Sequence, residues 1–151
     1  MKEIIETWLI NNRIHRYLLD AIEEGNLSDA LASKGRTVGE QWAHIHNVRL
    51  MWLKEAQPDL LATVEKIEKT DITKHRLTEQ LEKSGQAIAQ MLEKGLSEGR
   101  IKGFKPHPTA FLGYLIAHEA HHRSQIVIAL KQSGHPVDKK TSFGLWEWGV
   151  R

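Results

Sequence analysis

Hydrophobic residues recur at three- and four-residue spacing in four long segments of the chain, and this period predicts amphipathic helices. The first predicted helix covers about residues 2–24 and ends at Gly25, a typical helix stop. The second begins at Thr37, because Thr37 and Glu40 have the spacing of a capping box, and it ends before Pro58. The first half of the chain therefore predicts two helices joined by a loop rich in turn residues.

The second half of the chain predicts two further long helices. A short helical piece is expected at about 59–67, followed by a third helix over about 71–96 with leucine and isoleucine on one face. The fourth helix begins at Pro108, whose ring suits a first helical turn, and continues to about Ser133. No segment has the alternation of a strand, so we expect an all-α four-helix bundle in one domain over residues 1–151.

The composition excludes several classes of protein. Hydrophobic residues make up 40% of the chain and charged residues 26%, which is typical of a globular domain. A formal net charge of +2 with no basic run argues against nucleic-acid binding, and no apolar run approaches the roughly 18 residues of a membrane span. The chain has no cysteine, which excludes disulfides and thiolate zinc sites and is consistent with the cytoplasm, where we expect the protein.

The nine histidines are the unusual feature of the composition. His118 and His122 lie four residues apart on the fourth predicted helix, so about 40° separates them and both project from one face. Leu115 and Ile126 extend that face, which should therefore point into the bundle. Imidazoles on a buried face need polar partners, and a metal ion is one such partner. His121 lies about 100° from His122, toward the edge of this face.

A third ligand should come from the second predicted helix, which offers His44 and His46. These two residues differ by about 200° around the helix axis, so only one of them can join the site, and spacing leaves the choice open. The alternative for each of these histidines is an ordinary hydrogen-bonded position in the core. A second histidine-bearing helix favours the metal site.

Two other metal sites share some of these residues. The segment HEAHH also has the HExxH pattern of zinc peptidases, in which Glu119 would activate water and Glu147 would be a possible third ligand. Against this hypothesis, no sheet is predicted that could form the substrate cleft. Glu119 and His122 also match half of a ferritin-like di-iron site, but the chain has no second Glu-x-x-His.

Aromatic and basic residues near the histidines suggest further roles. The C-terminal segment TSFGLWEWGVR should pack on the bundle or on a second subunit, and together with the five tryptophans it predicts a homodimer. Trp146 and Trp148 could cover the metal cleft, whereas core packing is expected for Trp8, Trp42 and Trp52. Arg123 could bind an anionic substrate, although an ion pair with a glutamate of a neighbouring helix is the favoured interpretation.

These motifs resemble the DinB/YfiT-like family of metalloenzymes over nearly the whole chain. The resemblance rests on the order of the helices, the segment TVGEQWAHIHNVRLMWL and the segment HEAHHRSQI, which is close to the H-R-G-Q of the family. In that family the first ligand histidine lies seven residues after the threonine that begins helix two, which corresponds here to Thr37 and His44. The other two family ligands match His118 and His122.

The resemblance implies a three-histidine site with open coordination positions for a divalent transition metal, zinc or nickel above all. Relatives in the family include S-transferases and isomerases that use low-molecular-weight thiols. We therefore expect a metal-dependent enzyme, with thiol transfer as the first hypothesis and a small thiol as its partner. A metal-dependent hydrolase, including an HExxH-type peptidase, and a non-catalytic metal-binding bundle remain alternatives.

Overall fold

The computed structural model describes all 151 residues and has five α-helices and no strands. The helices are α1 (Lys2–Asp20), α2 (Val38–Ala56), α3 (Lys74–Glu98), α4 (Pro108–Gln132) and α5 (Lys139–Gly144). Helices α1 and α2 each pack against both α3 and α4, which gives a four-helix bundle followed by the short α5. The predicted all-α bundle is thus confirmed.

Capping side chains account for the observed helix starts. The Thr37 hydroxyl accepts from the Glu40 N–H at 3.2 Å and the Glu40 carboxylate accepts from the Thr37 N–H at 3.1 Å, so the predicted capping box is present. Helix α4 begins at Pro108 as predicted. Helix α3 begins later than residue 71, because the Thr73 hydroxyl accepts from the Arg76 N–H at 3.1 Å and caps it there.

Two of the predicted helical segments are partly 3-10 helix. Helix α1 ends at Asp20 instead of near residue 24, and a separate 3-10 turn follows at Glu24–Ser28. The helical piece expected at 59–67 is a 3-10 helix over Pro58–Thr63. The repeats of a 3-10 helix and an α-helix, about 3.0 and 3.6 residues per turn, cannot be distinguished over so few residues, so the sequence pattern did not separate them.

The core consists of two apolar clusters with buried polar residues between them. Toward one end of the bundle lie Leu18, Trp42, Leu81 and Ile126, and toward the other lie Trp8, Leu53, Ile88, Phe111 and Leu115. On each long helix most of the buried polar side chains fall between residues of the two clusters; these include Asn11, His15, Arg49, Ser84 and Glu119. The middle of the bundle is therefore a polar layer, and the histidines that concern function lie at this level.

The C-terminal segment packs back on α1. Packing on the bundle was one of the two possibilities expected from the sequence, the other being packing on a second subunit. The Arg151 guanidinium lies 3.7 Å from the centroid of the Tyr17 ring, and Arg13 donates to the Arg151 carbonyl at 3.1 Å. Phe143 and Trp146 point largely to solvent, with 70% and 77% of their surface exposed. None of the helices combines the length and the apolar character that crossing a membrane requires.

Candidate metal centre

The structure brings together three histidines from two helices. One ligand atom from each of His44 on α2 and His118 and His122 on α4 can be chosen so that all lie within 4.8 Å of one another. The His118 and His122 Nε2 atoms are 3.2 Å apart, and the His44 and His122 rings are 4.5 Å apart at their centroids. His122 is buried and the other two are half-buried, so the cluster lies at the edge of the polar layer.

A neighbouring side chain fixes the tautomer of His122. The His122 Nδ1 atom lies 2.7 Å from Gln41 Oε1, and an amide oxygen can only accept a hydrogen bond. Nδ1 therefore carries the hydrogen, and the lone pair of Nε2 faces His118. A ring held in this way presents one nitrogen to a metal and is oriented by the hydrogen bond of the other.

The donor set fits a divalent transition metal. Two nitrogens that bind one tetrahedral zinc ion at roughly 2.05 Å lie about 3.3 Å apart. The Nε2 atoms of His118 and His122 have nearly this spacing, at 3.2 Å. Two lone pairs this close repel each other unless a proton or a cation lies between them. The three histidines could therefore hold one ion, and imidazole suits zinc, nickel, copper and iron.

The surroundings keep these imidazoles neutral. Burial, and then the nearby His44 and His118 rings, lower the pKa of His122 to about 4. Burial and the positive charge of Arg36 lower the pKa of His44 below its ordinary value, and burial lowers that of His118. Because only the neutral form of imidazole binds a metal, the three side chains are in the binding-competent form at neutral pH.

Glu119 lies apart from this cluster, although it is adjacent to His118 in sequence. Its carboxylate is fully buried and accepts from Arg49 Nε at 2.6 Å, Arg49 Nη2 at 3.0 Å and Asn11 Nδ2 at 2.9 Å. His15 Nε2 also contacts this carboxylate, at 2.8 Å from Glu119 Oε2. Burial alone would raise the pKa of Glu119, but the Arg49 charge and the hydrogen bonds outweigh it and hold the pKa well below its usual range.

The peptidase hypothesis therefore lacks its catalytic glutamate. Glu119 is engaged in an ion pair in the interior, and neither it nor Glu147 belongs to the cluster of possible metal ligands. A zinc peptidase needs a carboxylate that contacts the attacking water beside the metal. Three histidines from two helices, with no carboxylate among them, form a different kind of site.

His46, the alternative that spacing left open, is a core residue. It is fully buried, its Nε2 donates to the Glu65 carbonyl at 2.7 Å, and its Nδ1 lies 3.0 Å from the Ser84 hydroxyl. His121 is exposed and contacts the His122 ring edge-on, with the centroids 4.9 Å apart, but it is not part of the cluster. The choice of His44, which came from the family resemblance, thus agrees with the geometry.

The neutral, buried His46 predicts that the metal-free protein loses stability in mild acid. Burial lowers the pKa of His46 from 6.5 to about 4. The unfolded chain therefore takes up this proton near pH 6.5, whereas the folded chain does not until about pH 4, so the free energy of unfolding falls as the pH drops through this window. His46 alone should account for about 2 kcal/mol between pH 7 and pH 5.

Urea unfolding at pH 7 and pH 5, with a chelator present, measures this change. The His46→Gln variant serves as the comparison, because glutamine does not titrate. The loss of stability between the two pH values should be smaller in the variant by about 2 kcal/mol. Equal losses in the two proteins would show that His46 is not the titrating group.

Two sequence interpretations need correction, one about a residue of α4 and one about a residue of the C-terminal segment. Arg123 was expected to pair with a glutamate, but it makes no ion pair and its Nη1 atom is buried without a hydrogen-bond partner. Glu119, one turn before it, is already occupied by Arg49. Trp146 was considered as a cover for the metal cleft, whereas it borders a cavity together with Arg123, and no metal-ligand candidate lines that cavity.

Sequence reasoning missed the partners of Glu119, namely Arg49, Asn11 and His15. The available signal was weak. Arg49 lies four residues from both Ile45 and Leu53, which places a charged residue on the face that these apolar residues bury. An arginine on an apolar face indicates a buried carboxylate elsewhere in the fold, because arginine is almost never buried unpaired.

A helical bundle with three histidines converging from its second and fourth long helices defines a class of candidate metal-binding proteins. The family model for the DinB family matches residues 1–145, and the chain belongs to that family. The crystal structure of a DinB-like protein from Bacillus cereus ATCC 10987 superposes with a TM-score of 0.67 and 23% sequence identity. The alignment covers 91% of this chain and 95% of that chain and shows a shared fold. A comparison with curated proteins gives no match.

Proposed function

We propose that this DinB-family protein is a metal-dependent enzyme that transfers a low-molecular-weight thiol to an electrophile. His44, His118 and His122 would bind one divalent transition metal, zinc or nickel above all. The observation that carries the proposal is the convergence of three neutral imidazoles with no fourth protein ligand. Such a set leaves at least one coordination position for a substrate, whereas a structural zinc site is closed by four protein ligands.

The residues around the cluster favour an anionic substrate group. Arg36 and Lys69 line a cavity of about 250 Å³ together with His44. Arg36 has no ion-pair partner, and its charge is felt at all three histidines. A divalent metal bound there would act as a Lewis acid that lowers the pKa of a thiol or a water molecule. Arg36 then adds positive potential where a deprotonated substrate approaches.

Thiol transfer fits the site better than hydrolysis, because no free carboxylate is placed to act as a general base. Glu119 is occupied by Arg49 in the interior. Glu40 lines the cavity beside His44, but its carboxylate accepts from the Thr37 N–H in the capping box. A thiol needs no such base once its pKa is lowered, whereas water activation commonly uses one. Hydrolysis and a purely metal-binding role are the alternatives.

Absorption spectroscopy of the cobalt-substituted protein tests this function. Adding a small thiol such as cysteine should produce a sulfur-to-cobalt charge-transfer band, and the thiol should then react with an electrophile such as monochlorobimane faster than it does free in solution. The His118→Ala variant should show neither effect. No new band at saturating thiol, or a fourth protein ligand found on the metal, would refute thiol transfer.

Metal removal should lower the melting temperature. A ligand that binds only the folded state stabilises it, by about 2.7 kcal/mol when its free concentration is 100 times the Kd. For a domain of this size that corresponds to roughly 5 to 10 °C. The measurement is thermal unfolding before and after chelation, with elemental analysis to verify removal.

The His118→Ala variant is the control for this measurement, since the chelator should not shift its melting curve. Acid below about pH 4, near the pKa of His122, should act like the chelator on the intact protein, because protonated imidazoles cannot ligate. An unchanged melting temperature after verified removal would show that the bundle does not depend on the metal.

A further inference from the structure

A second cavity, of about 350 Å³, lies on another face of α4 from the metal centre. Its wall comes from α4 and from the C-terminal segment and includes Arg123, Ser124, Val127, Ser142, Leu145 and Trp146. Around the axis of α4, Val127 and Ser124 lie about 140° to 160° from His122. The cavity is therefore separated from the three histidines by the body of the helix and shares no residue with them.

Arg123 brings an uncompensated positive charge to this cavity. It makes no ion pair, and its Nη1 atom has neither solvent contact nor a hydrogen-bond partner. The nearest candidate on its own helix, Glu119, already accepts from Arg49 with both oxygens. Burial accordingly lowers the pKa of Arg123 from its ordinary value. The Nε and Nη2 atoms of Arg123 also make no hydrogen bond, but they are not among the buried atoms and therefore contact solvent. A guanidinium without a partner costs free energy, and an anion that binds these two atoms would offset part of this cost.

The rest of the wall suits an apolar molecule with a few polar groups. Val127, Leu145 and the Trp146 indole supply apolar surface, and Ser124 and Ser142 supply hydroxyls. Trp146 is 77% exposed, so a large aromatic surface there is free to contact a ligand. The volume of about 350 Å³ lies in the range of small-molecule sites, about 300 to 1,000 Å³.

We propose that this cavity is a second binding site, for a small organic carboxylate with an aromatic or aliphatic body. Arg123 pairs with the carboxylate, and Trp146, Val127 and Leu145 contact the apolar part. The proposal is independent of the metal centre, because it uses the one guanidinium in this region that lacks a partner and none of the three histidines.

Titration with 1-naphthoate, using the protein as purified with its metal, tests the proposal. Isothermal titration calorimetry gives the affinity, and the indole N–H signal of Trp146, assigned with Trp146→Phe, locates the site by NMR. Arg123→Gln should weaken binding by about tenfold or more, because a charge-assisted contact is lost. Trp146→Ala, a change at an exposed position, should also weaken binding without threatening the fold.

Two matched variants separate this site from the metal centre. Arg36→Gln removes the cation beside His44, and His118→Ala removes a metal ligand; both should leave the affinity for 1-naphthoate unchanged. The neutral 1-naphthalenemethanol should bind the unaltered protein more weakly than 1-naphthoate does. The two compounds should bind Arg123→Gln with equal affinity, because the charge that distinguishes them has no partner there.

Three results would overturn the proposal. The first is no binding at millimolar naphthoate, and the second is equal affinity in the unaltered protein and Arg123→Gln. The third is a dimer by light scattering in which Trp146 is shielded from acrylamide and the naphthoate has no effect. That last result would assign the Trp146 surface to the homodimer that the aromatic segment predicts from sequence.

Discussion

Replacing His118 by alanine should reduce the metal content of the protein from about one ion per chain to near zero. The variant keeps only His44 and His122, and the Nε2 atom that lies 3.2 Å from His122 Nε2 is gone. Losing a direct ligand should cost more than the roughly 10- to 100-fold loss of affinity seen when a residue that orients a ligand is removed. Elemental analysis of protein purified without an affinity tag measures the effect.

Substitutions at two neighbouring residues provide reference values for the loss of metal affinity. Gln41→Ala removes the amide that holds the Nδ1–H of His122, so affinity should fall by about 10- to 100-fold while binding persists. His121→Ala removes an exposed imidazole that contacts the His122 ring but is not in the cluster, so metal content should not change. Full metal content in His118→Ala would rule out the assigned ligand set.

The helices and two of the three candidate metal ligands could be predicted from sequence because both depend on local spacing. The four-residue separation of His118 and His122 fixes their shared face in any α-helix. His44 and His46 could not be separated in this way, since α2 is packed on several sides. The partners that make His46 a core residue are the Ser84 hydroxyl on α3 and the Glu65 carbonyl in an irregular segment. The hydrophobic periodicity of a sequence does not indicate the position of a backbone carbonyl in an irregular segment.

The polar layer could not be predicted because its partners come from distant parts of the chain. Arg49 and Glu119 are 70 residues apart in sequence and meet only when α2 packs on α4. The error about Arg123 has the same origin. An ion pair with a glutamate of a neighbouring helix was expected, but Arg123 makes no ion pair, and Arg49 occupies both carboxylate oxygens of Glu119, which lies on the same helix as Arg123. Competition for a buried partner is a property of the tertiary structure.

Replacing Arg49 by methionine should destabilise the protein by about 3 to 5 kcal/mol, because it leaves a buried carboxylate without its cation. Glu119 is fully buried and loses the contacts at 2.6 and 3.0 Å that the guanidinium provides. The Arg49 side chain also donates to Asn12 Oδ1 at 2.8 Å and to the Leu81 carbonyl at 3.0 Å, so α1 and α3 lose a shared partner as well. Urea unfolding at pH 7 measures the change in the free energy of unfolding.

The surface pair of Arg16 and Glu82 provides a matched control. Its contact is 2.7 Å, as short as those of Arg49, but its side chains are 39% and 37% exposed. Water can solvate the charge that remains, so Arg16→Met should cost less than about 1 kcal/mol. Both substitutions remove one ion pair, but only Arg49→Met leaves an unpaired charge in the low-dielectric interior. The difference between their costs therefore measures the penalty for the buried unpaired charge.

The double variant Arg49→Met with Glu119→Leu completes the argument, because it removes both charges together. If the cost of Arg49→Met is the unpaired carboxylate, then replacing that carboxylate by an apolar side chain of similar size should recover most of the lost stability. If the double variant is instead as unstable as Arg49→Met alone, the hydrogen bonds of Arg49 to α1 and α3 dominate. A cost below 1 kcal/mol for Arg49→Met would contradict the burial of the pair itself.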